Sequence, residues 1–283
     1  MRYCINLNLK GKTMKLQEAI QELGLGEKPV CIHSSLRSFG CWMEGLVDAF
    51  LEQGCTVLVP SFSDIFEAPP VPEFMPAQNG AGDYSYFYEK EYEDVGPYHT
   101  GRNEVSVEEM GMFPALVLAH PNRFRGNNYL NSFASVGPLA QKLVAGQTNE
   151  DVYAPLAELY ALDGFVLLMG TGLDTATAIH YAEQQAGRIP FVRWSKDENG
   201  STVPVRAGGC SEGFPKLEPM LAPYEKQITV ENSLWRCYRI RDLVDTAEKA
   251  FRKNPLVTHC GDPNCARCND AAKGGPFYPG DMG

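Results

Sequence analysis

Short apolar runs alternate with segments of helical spacing in the first half of the chain. The runs at residues 30–33, 55–59 and 165–169 are apolar at consecutive positions, as in strands that are buried on both faces of a parallel sheet. Between the first two runs, residues 46–51 place apolar side chains on one helical face. A strand, a helix and a strand in this order predict a βαβ unit.

The ends of further helices are indicated by capping residues and prolines. Thr13 is placed to cap a first helix, and Pro155 suits the first turn of the helix that precedes the third strand. After that strand, Asp174 or Thr175 can cap a helix that runs to about Ala186. Helices therefore separate the predicted strands, which is typical of an α/β protein.

The second half of the chain shows a different pattern. Residues 191–194 and 202–205 flank an Asn-Gly dipeptide, which strongly predicts a β-hairpin. A strand over 234–240 then leads into a helix over 241–252. The whole pattern predicts an α/β fold with a mixed, partly parallel central sheet flanked by helices. It also predicts an antiparallel hairpin extension in the C-terminal half, within a single domain over 1–283.

A long segment, residues 61–103, shows little periodicity and contains five prolines. Between residues 61 and 98, eight acidic residues accompany a single base, Lys90, and aromatic residues are interleaved with them. An acidic and aromatic loop suits a polyamine, through charge pairing and cation–π contact. A solvated surface loop held down by its aromatic residues explains the same composition. We therefore expect a loop insertion at this place, with both interpretations open.

The charge and the cysteines limit the classes of function. The formal charge is −10, from 25 basic and 35 acidic residues, and it argues against a partner such as nucleic acid. An odd number of cysteines, nine, without a recognisable secretory leader does not indicate a disulfide framework, and no apolar run is long enough to span a bilayer. We expect a reduced, cytoplasmic protein with no membrane partner. The sequence indicates no particular oligomeric state.

Two segments contain residues suited to binding a phosphate or a cofactor. Residues 33–38 (HSSLRS) follow the first strand, where ligands bind in open α/β sheets, and Arg37 offers a bidentate fork to a phosphate. A purely structural loop rich in serine would explain the same residues. Residues 131–138 precede a helix, and their spacing alone favours a simple helix cap at Ser135 or Val136.

A third segment joins a glycine-rich turn to a helix. The strand that precedes it ends at Gly170, and His180 and Glu183 stand three residues apart on the helix that follows. A carboxylate beside an imidazole orients the ring and raises its basicity, which suits a general base. A histidine that is merely hydrogen-bonded on a helix face fits the same spacing.

The order of these motifs resembles the aminoglycoside 3-N-acetyltransferase family. The matching letters are HSSLRS at 33–38, SFA at 132–134 before Gly137, and TAIHYAE at 177–183. The resemblance covers about 29–188, and more loosely the chain to residue 251. It implies an α/β fold unrelated to the common acetyltransferase superfamily and acetyl-coenzyme A as the cosubstrate. It also implies direct transfer of the acetyl group to the 3-amino group of an aminoglycoside in a ternary complex.

The resemblance further implies roles for individual residues. His180 is expected to be the general base with Glu183 beside it, and Asp64 and Glu212 occupy places where the family carries acids that face the substrate. The pantetheine and pyrophosphate of the cosubstrate are expected along two segments: His33, Ser34, Ser35, Leu36, Arg37 and Ser38 in the first, and Ser132, Phe133, Ala134 and Ser135 in the second.

The Cys-rich C-terminal tail, residues 256–283, departs from the family pattern. His259, Cys260, Cys265 and Cys268 offer an imidazole and three thiols within ten residues, which is the donor set of tetrahedral zinc. Simultaneous ligation by the adjacent His259 and Cys260 would be strained, and reduced cysteines beneath a terminal loop explain the same cluster. A structural zinc ion is one of two interpretations of this tail.

Two classes of function remain open from the sequence. The favoured hypothesis is an acetyl-coenzyme A-dependent N-acetyltransferase that acts on an aminoglycoside, with another amine metabolite as the alternative acceptor. The competing hypothesis is a non-catalytic, zinc-containing binding protein on the same scaffold. Replacement of His180 by alanine separates them, because only the enzyme would lose thiol release from acetyl-coenzyme A.

Overall fold

The computed structural model describes residues 16–40 and 45–278. In these residues the strands are β1 (Pro29–Ser34), β2 (Thr56–Pro60), β3 (Phe124–Arg125), β4 (Phe133–Val136), β5 (Phe165–Met169), β6 (Phe191–Lys196), β7 (Thr202–Ala207), β8 (Lys226–Val230) and β9 (Ser233–Arg239). The α-helices are α1 (Leu16–Glu22), α2 (Leu46–Glu52), α3 (Ser85–Glu89), α4 (Val107–Met110), α5 (Met112–Ala119), α6 (Ala140–Val144), α7 (Ala154–Ala161), α8 (Ala178–Gln185), α9 (Glu218–Leu221), α10 (Ile240–Lys253) and α11 (Ala266–Ala272).

The central sheet has seven strands in the order β3-β4-β2-β1-β5-β9-β8. Strand β1 pairs in parallel with both β2 and β5, so that Cys31 lies opposite Leu58 on one side and Val166 on the other. Antiparallel strands continue the sheet in both directions, with β4 beside β2 and β9 beside β5. The predicted mixed, partly parallel sheet is therefore confirmed.

Alternate residues of the central strands pack into separate hydrophobic layers on the two faces of the sheet. Val30 and Ile32 of β1 pack with residues of α1, α2 and α5, whereas Cys31 packs with residues of α7, α8 and α10. All five residues of β2 are buried. Helices on both faces explain why the strand sequences are apolar at consecutive positions rather than alternating.

The predicted hairpin is present, but it does not extend the central sheet. Strands β6 and β7 pair with each other in a separate two-stranded sheet, with Trp194 opposite Pro204. The antiparallel extension of the central sheet in the C-terminal half consists of β9 and β8. The helix predicted over 241–252 is α10.

Two predicted helix starts are wrong. Asp174 and Thr175 belong to a separate 3-10 turn, and Ala176 has a ψ of 86°, which interrupts the helical conformation before α8 begins at Ala178. Ser135 and Val136, the predicted alternatives for a helix cap, belong to strand β4. Thr13, the predicted cap of the first helix, lies outside the described residues.

The segment 61–103 is mostly irregular, with 3-10 turns and the short helix α3. It is held by aromatic contacts. Phe66 meets Tyr98 edge to face at a centroid distance of 5.4 Å, and Phe87 meets Trp194 of β6 in the same way at 5.4 Å. The segment therefore packs on itself and on the β6–β7 hairpin. Among the described residues, none of the helices combines the length and the apolar composition needed to cross a membrane.

Candidate active site

A cavity of about 910 Å³ opens beyond the carboxyl ends of the three parallel strands. Ser34 reaches this cavity from the end of β1, Asp64 from the segment after β2, and Thr171 from the segment after β5. Ligands of open α/β sheets bind at this edge. A cavity of this size can enclose most of a drug-sized ligand. The fold thus brings polar residues from the ends of these three strands together around one binding space.

Helix α8 places His180 on the wall of this cavity. Ala178, Ile179 and Ala182 are fully buried in the hydrophobic layer between α8 and the sheet. These three residues fix the rotation of the helix about its axis. His180 lies between them in sequence but on a neighbouring face, and it lines the cavity.

His180 and Glu183 form a hydrogen-bonded pair. Nδ1 of His180 lies 2.6 Å from Oε2 of Glu183, and the side chains retain only 11% and 12% of their exposure. Arg188 donates to the other carboxylate oxygen of Glu183 and packs over the ring of Phe251. Because the carboxylate accepts a hydrogen bond from Nδ1–H, the favoured tautomer leaves the lone pair of Nε2 available.

Two aromatic rings hold the imidazole of His180. Tyr153 lies nearly parallel to it, with an interplanar angle of 7° and a centroid distance of 6.1 Å, and Phe214 meets it edge-on at 4.7 Å. The backbone of Gly208 passes the remaining edge, where a Cβ atom would lie 3.6 Å from Nε2. These contacts hold the ring in place. Because Gly208 has no side chain, the space beside Nε2 stays open.

Acidic side chains outnumber basic ones around the cavity. The lining carboxylates are Asp64, Glu67, Asp83, Glu109 and Asp174, and the lining cations are Lys90, Arg193 and Arg267. Lys90 forms an ion pair with Glu67. Burial raises the pKa of Glu109, and burial lowers the pKa of Arg193 to about 10, so that Arg193 keeps its charge at neutral pH. The acidic excess favours a cationic ligand.

Of the predicted cofactor segment, His33 and Ser34 line the cavity. His33 is 5% exposed, and burial lowers its pKa to about 4, so its ring is neutral at neutral pH. The Oγ atom of Ser34 is buried and has no hydrogen-bond partner among the residues that the structure describes. A buried hydroxyl of this kind is a ready donor or acceptor for a ligand.

The rest of that segment lies beside the cavity rather than on its wall. Ser35 and Leu36 are half-buried, and Arg37 is exposed to solvent in a 3-10 turn. Ser38 donates a hydrogen bond to the carbonyl of Ser35 at 2.6 Å, and its Oγ lies 2.7 Å from Oγ of Ser233. Arg37 thus has the exposure that a phosphate ligand needs, while Ser38 stabilises the turn.

The predicted cosubstrate residues Ser132, Phe133, Ala134 and Ser135 do not lie on the cavity wall, so their position gives the predicted contact no support. All four are buried, with at most 1% exposure, because β4 pairs with β2 on one edge and with β3 on the other. The hydroxyls of the two serines already have hydrogen-bond partners. Arg125 donates to Oγ of Ser132 at 2.9 Å, and Ser135 donates to the carbonyl of Val57 at 2.7 Å. The preceding residues Leu130 and Asn131 line the cavity instead.

The two predicted substrate acids differ in position. Asp64 lines the cavity and is exposed to it at the start of a 3-10 turn. Glu212 is exposed outside the cavity lining, although its neighbours Ser211 and Phe214 belong to that lining. Asp64 keeps its predicted role as a proposal, whereas the position of Glu212 gives that role no support.

The predicted metal-ligand set needs one correction. His259 does not join the cysteines, because its Nδ1 accepts a hydrogen bond from the N–H of Gly261 and its Nε2 pairs with Oδ1 of Asn269 at 3.1 Å. Cys210 takes its place beside Cys260, Cys265 and Cys268.

Several residues of the site were not predicted from the sequence. They are Tyr153, Arg188, Cys210 and Phe214. Arg188 follows the end of α8, so helical spacing did not connect it with Glu183. Cys210 stands alone in sequence, and its glycine neighbours were the only local sign that the backbone there approaches other groups closely.

The fold and the site together define the class of protein. It is an α/β enzyme in which a histidine–glutamate pair borders an acidic cavity at the ends of parallel strands. The sequence profile described as aminoglycoside 3-N-acetyltransferase matches residues 31–252. The chain belongs to this family, and it is therefore an acyltransferase for which the family implies acetyl-coenzyme A as cosubstrate.

Individual relatives support the family assignment. The SPbeta prophage-derived aminoglycoside N(3')-acetyltransferase-like protein YokD of Bacillus subtilis (strain 168) is 29% identical over 273 residues, covering 84% of this chain and 92% of YokD. Aminoglycoside N(3)-acetyltransferase IV of Salmonella sp is 26% identical over 257 residues, covering 84% of this chain and 87% of that protein.

Solved structures show the same fold. Aminoglycoside acetyltransferase AAC(3)-IVa, as a histidine-to-alanine mutant in complex with a gentamicin, superposes with a TM-score of 0.70 at 23% identity, covering 95% of this chain and 100% of that chain. YokD from Bacillus subtilis superposes with a TM-score of 0.64 at 24% identity, covering 84% and 98%.

Proposed function

We propose that this chain transfers the acetyl group of acetyl-coenzyme A to the 3-amino group of an aminoglycoside, by direct transfer in a ternary complex. His180 acts as the general base. The observation that carries the proposal is the hydrogen-bonded pair of His180 and Glu183 on the wall of an acidic cavity.

His180 is positioned to accept a proton from the attacking amine. An amine needs a free lone pair to attack a thioester, and aminoglycoside amines are largely protonated at neutral pH. The Nε2 lone pair of His180 can take the proton as attack proceeds, and the Glu183 carboxylate stabilises the imidazolium that forms. General base catalysis of this kind typically contributes about 10²–10⁴-fold to the rate.

The carboxylates of the cavity are suited to hold the acceptor. Aminoglycosides are polycations, and Asp64, Glu109 and Asp174 all offer negative charge to the same cavity. Gentamicin and apramycin, which AAC(3)-IVa binds in solved structures, are acceptors of the proposed class.

The cosubstrate is proposed to lie along the turn after β1. Acetyl-coenzyme A supplies the acetyl group as a thioester. Ser34 offers a buried hydroxyl without a partner among the described residues, which fits a polar group of a ligand. Arg37 is an exposed guanidinium that can bind a phosphate in bidentate fashion. The neutral ring of His33 can donate or accept a hydrogen bond but supplies no positive charge.

A second acceptor class is favoured by the cations of the cavity. Arg193 is buried with its guanidinium over the ring of Phe87, and Arg267 lines the same space. Such cations repel a polyamine but would attract an amine metabolite that also carries an acidic group. We therefore keep another amine metabolite as the alternative acceptor, and we propose that it carries an acidic group.

The acceptor is tested by thiol release from acetyl-coenzyme A with a panel of aminoglycosides and a parallel panel of amino acids and amino sugar acids. The proposal predicts turnover with at least one aminoglycoside and, by NMR of the product, acetylation of its 3-amino group. Turnover only with acidic amines would support the alternative acceptor. Acetylation at another amino group would refute the regiochemistry.

A further inference from the structure

Four cysteine sulfurs meet beside the active site. The Sγ atoms of Cys210, Cys260, Cys265 and Cys268 all lie within 4.8 Å of one another. Cys210 comes from the loop after β7, and the other three come from the C-terminal tail. Cys210 and Cys268 also line a small cavity of about 30 Å³ together with His180 and Glu183.

The backbone is built to bring the two segments together. At Gly213, a Cβ atom would lie 2.0 Å from the carbonyl oxygen of Thr258, so only glycine permits this approach of the loop to the tail. Lys216 donates a hydrogen bond to the carbonyl of His259. These contacts place Cys210, three residues before Gly213, opposite Cys260.

Local structure arranges the remaining sulfurs. Cys265 is the residue just before α11, and Cys268 lies three residues further on, so that both side chains share one side of the first turn. The backbone N–H of Cys260 donates to Sγ of Cys268 at 3.4 Å. Hydrogen bonds to ligand atoms are a regular feature of metal sites, where they orient the ligands.

We propose that these four thiolates bind one structural zinc ion. Zinc at about 2.3 Å from four tetrahedral sulfurs requires sulfurs about 3.8 Å apart, so the observed cluster needs to contract by about 1 Å at most. Four thiolates are a soft donor set that selects zinc over magnesium or calcium. Four protein ligands leave no open position, so the ion is structural rather than catalytic.

The zinc ion would position one wall of the acceptor cavity. The tail that it fixes carries Asp270, whose Oδ2 accepts a hydrogen bond from the N–H of Gly80 at 2.9 Å. The same tail exchanges backbone hydrogen bonds with the acidic loop, from Ala77 to the carbonyl of Phe277 at 2.9 Å and from Phe277 to that of Gln78 at 3.2 Å. Zinc would therefore fix the tail, and the hydrogen bonds of the tail would in turn hold the loop that contains Asp64 and Glu67.

Metal analysis of the full chain tests this proposal independently of any activity. The protein is produced without a histidine tag in zinc-supplemented medium, gel-filtered, and analysed for zinc and iron by mass spectrometry. The expected result is one zinc ion per chain. Zinc far below one per chain, iron in its place, or two disulfides among the four cysteines in the non-reduced protein would each overturn the proposal.

Matched variants test the ligand set. Cys210→Ala and Cys265→Ala are expected to lose the zinc, whereas His259→Ala and Cys237→Ala, which changes a buried cysteine of β9, keep it. Full zinc content in Cys210→Ala together with its loss in His259→Ala would overturn the assignment of the fourth ligand. If a cysteine variant fails to fold, the zinc content of the wild-type chain still decides the proposal.

A second readout tests the effect on the cavity. Removal of zinc by a chelator is expected to speed hydrogen exchange in the tail and around residues 77–80, where the hydrogen bonds to the tail lie. Exchange in the central strand β1 should not change. Equal exchange at residues 77–80 with and without zinc would overturn the positioning role.

Discussion

Oγ of Ser38 lies 1.9 Å from the place where Gly170 would carry a Cβ atom. Gly170 follows β5 with a φ of +67°, and Ser38 belongs to the turn after β1. The loops at the ends of these two parallel strands therefore pack together only because Gly170 has no side chain. The arrangement supports the turn that carries Arg37 and that directly follows Ser34.

Gly170→Ala should destabilise the protein and weaken acetyl-coenzyme A binding. The positive φ alone costs about 1–2 kcal/mol for an alanine, and displacement of Ser38 adds to this. Gly96→Ala is the matched control, because Gly96 has a φ of +75° but no atom within 4 Å of its Cβ position. Urea denaturation should show a larger loss for Gly170→Ala, and only this variant should raise the KM for acetyl-coenzyme A. Equal losses in both variants would contradict the proposed packing.

Glu225 is expected to make the protein sensitive to acid. Nε and Nη2 of Arg236 donate to its two carboxylate oxygens at 2.8 and 2.9 Å, and Tyr238 donates to it as well. Burial alone would raise the pKa of Glu225, but these hydrogen bonds outweigh it and lower the pKa to about 2 from an ordinary value of 4.5. The ionised form therefore stabilises the fold above pH 4.5, and this stabilisation is lost as the pH falls toward 2.

Glu225→Gln should lower the free energy of unfolding at pH 7 by about 3 kcal/mol, since it leaves Arg236 without its buried partner. The fall in stability between pH 4.5 and 2 should also become shallower than in the wild type. Glu248→Gln removes an exposed ion pair with Arg252 and should cost at most about 0.5 kcal/mol. Chemical denaturation across this pH range checks both values. If Glu225→Gln lost as much stability between pH 4.5 and 2 as the wild type does, the role of the Glu225–Arg236 pair would be refuted.

Asp64→Asn should raise the KM for the acceptor while it leaves kcat nearly unchanged. A hydrogen bond to a charged group contributes about 1.5–3 kcal/mol, so the KM should rise about 10-fold or more. Glu212→Gln is the control, because Glu212 is exposed outside the cavity lining. Steady-state kinetics at low and high salt check the contribution of charge. Added salt should change the KM for the acceptor less in Asp64→Asn than in the wild type. A larger effect of Glu212→Gln would reverse the assignment of the substrate acid.

The strands that position the site could be predicted from the sequence. The runs over 30–33, 55–59 and 165–169 are β1, β2 and β5, because strands covered on both faces must be apolar throughout. His180 and Glu183 could also be paired from sequence, since residues three apart on a helix are neighbours. Local periodicity was sufficient for each of these features.

Features that depend on contacts distant in sequence could not be predicted. Ser132 and Ser135 look like accessible hydroxyls, but β4 inserts between β2 and β3 and buries them. Cys210 joins cysteines that lie 50 or more residues further along the chain, through the close approach at Gly213. Short-range spacing suggested the adjacent His259 instead, but in the folded chain the ring of His259 forms a hydrogen bond with Asn269.

The rate of acetyl transfer with both substrates bound tests the role of His180 most directly. Rapid-quench single turnovers are compared for the wild type, His180→Ala and His99→Ala, the last of which changes an exposed histidine outside the cavity lining. The dissociation constants of both substrates are measured in parallel by calorimetry. The proposed mechanism predicts that only His180→Ala is slower, by about 10²–10⁴-fold, with nearly unchanged dissociation constants. A transfer rate in His180→Ala equal to that of the wild type would contradict the assignment of His180 as the base.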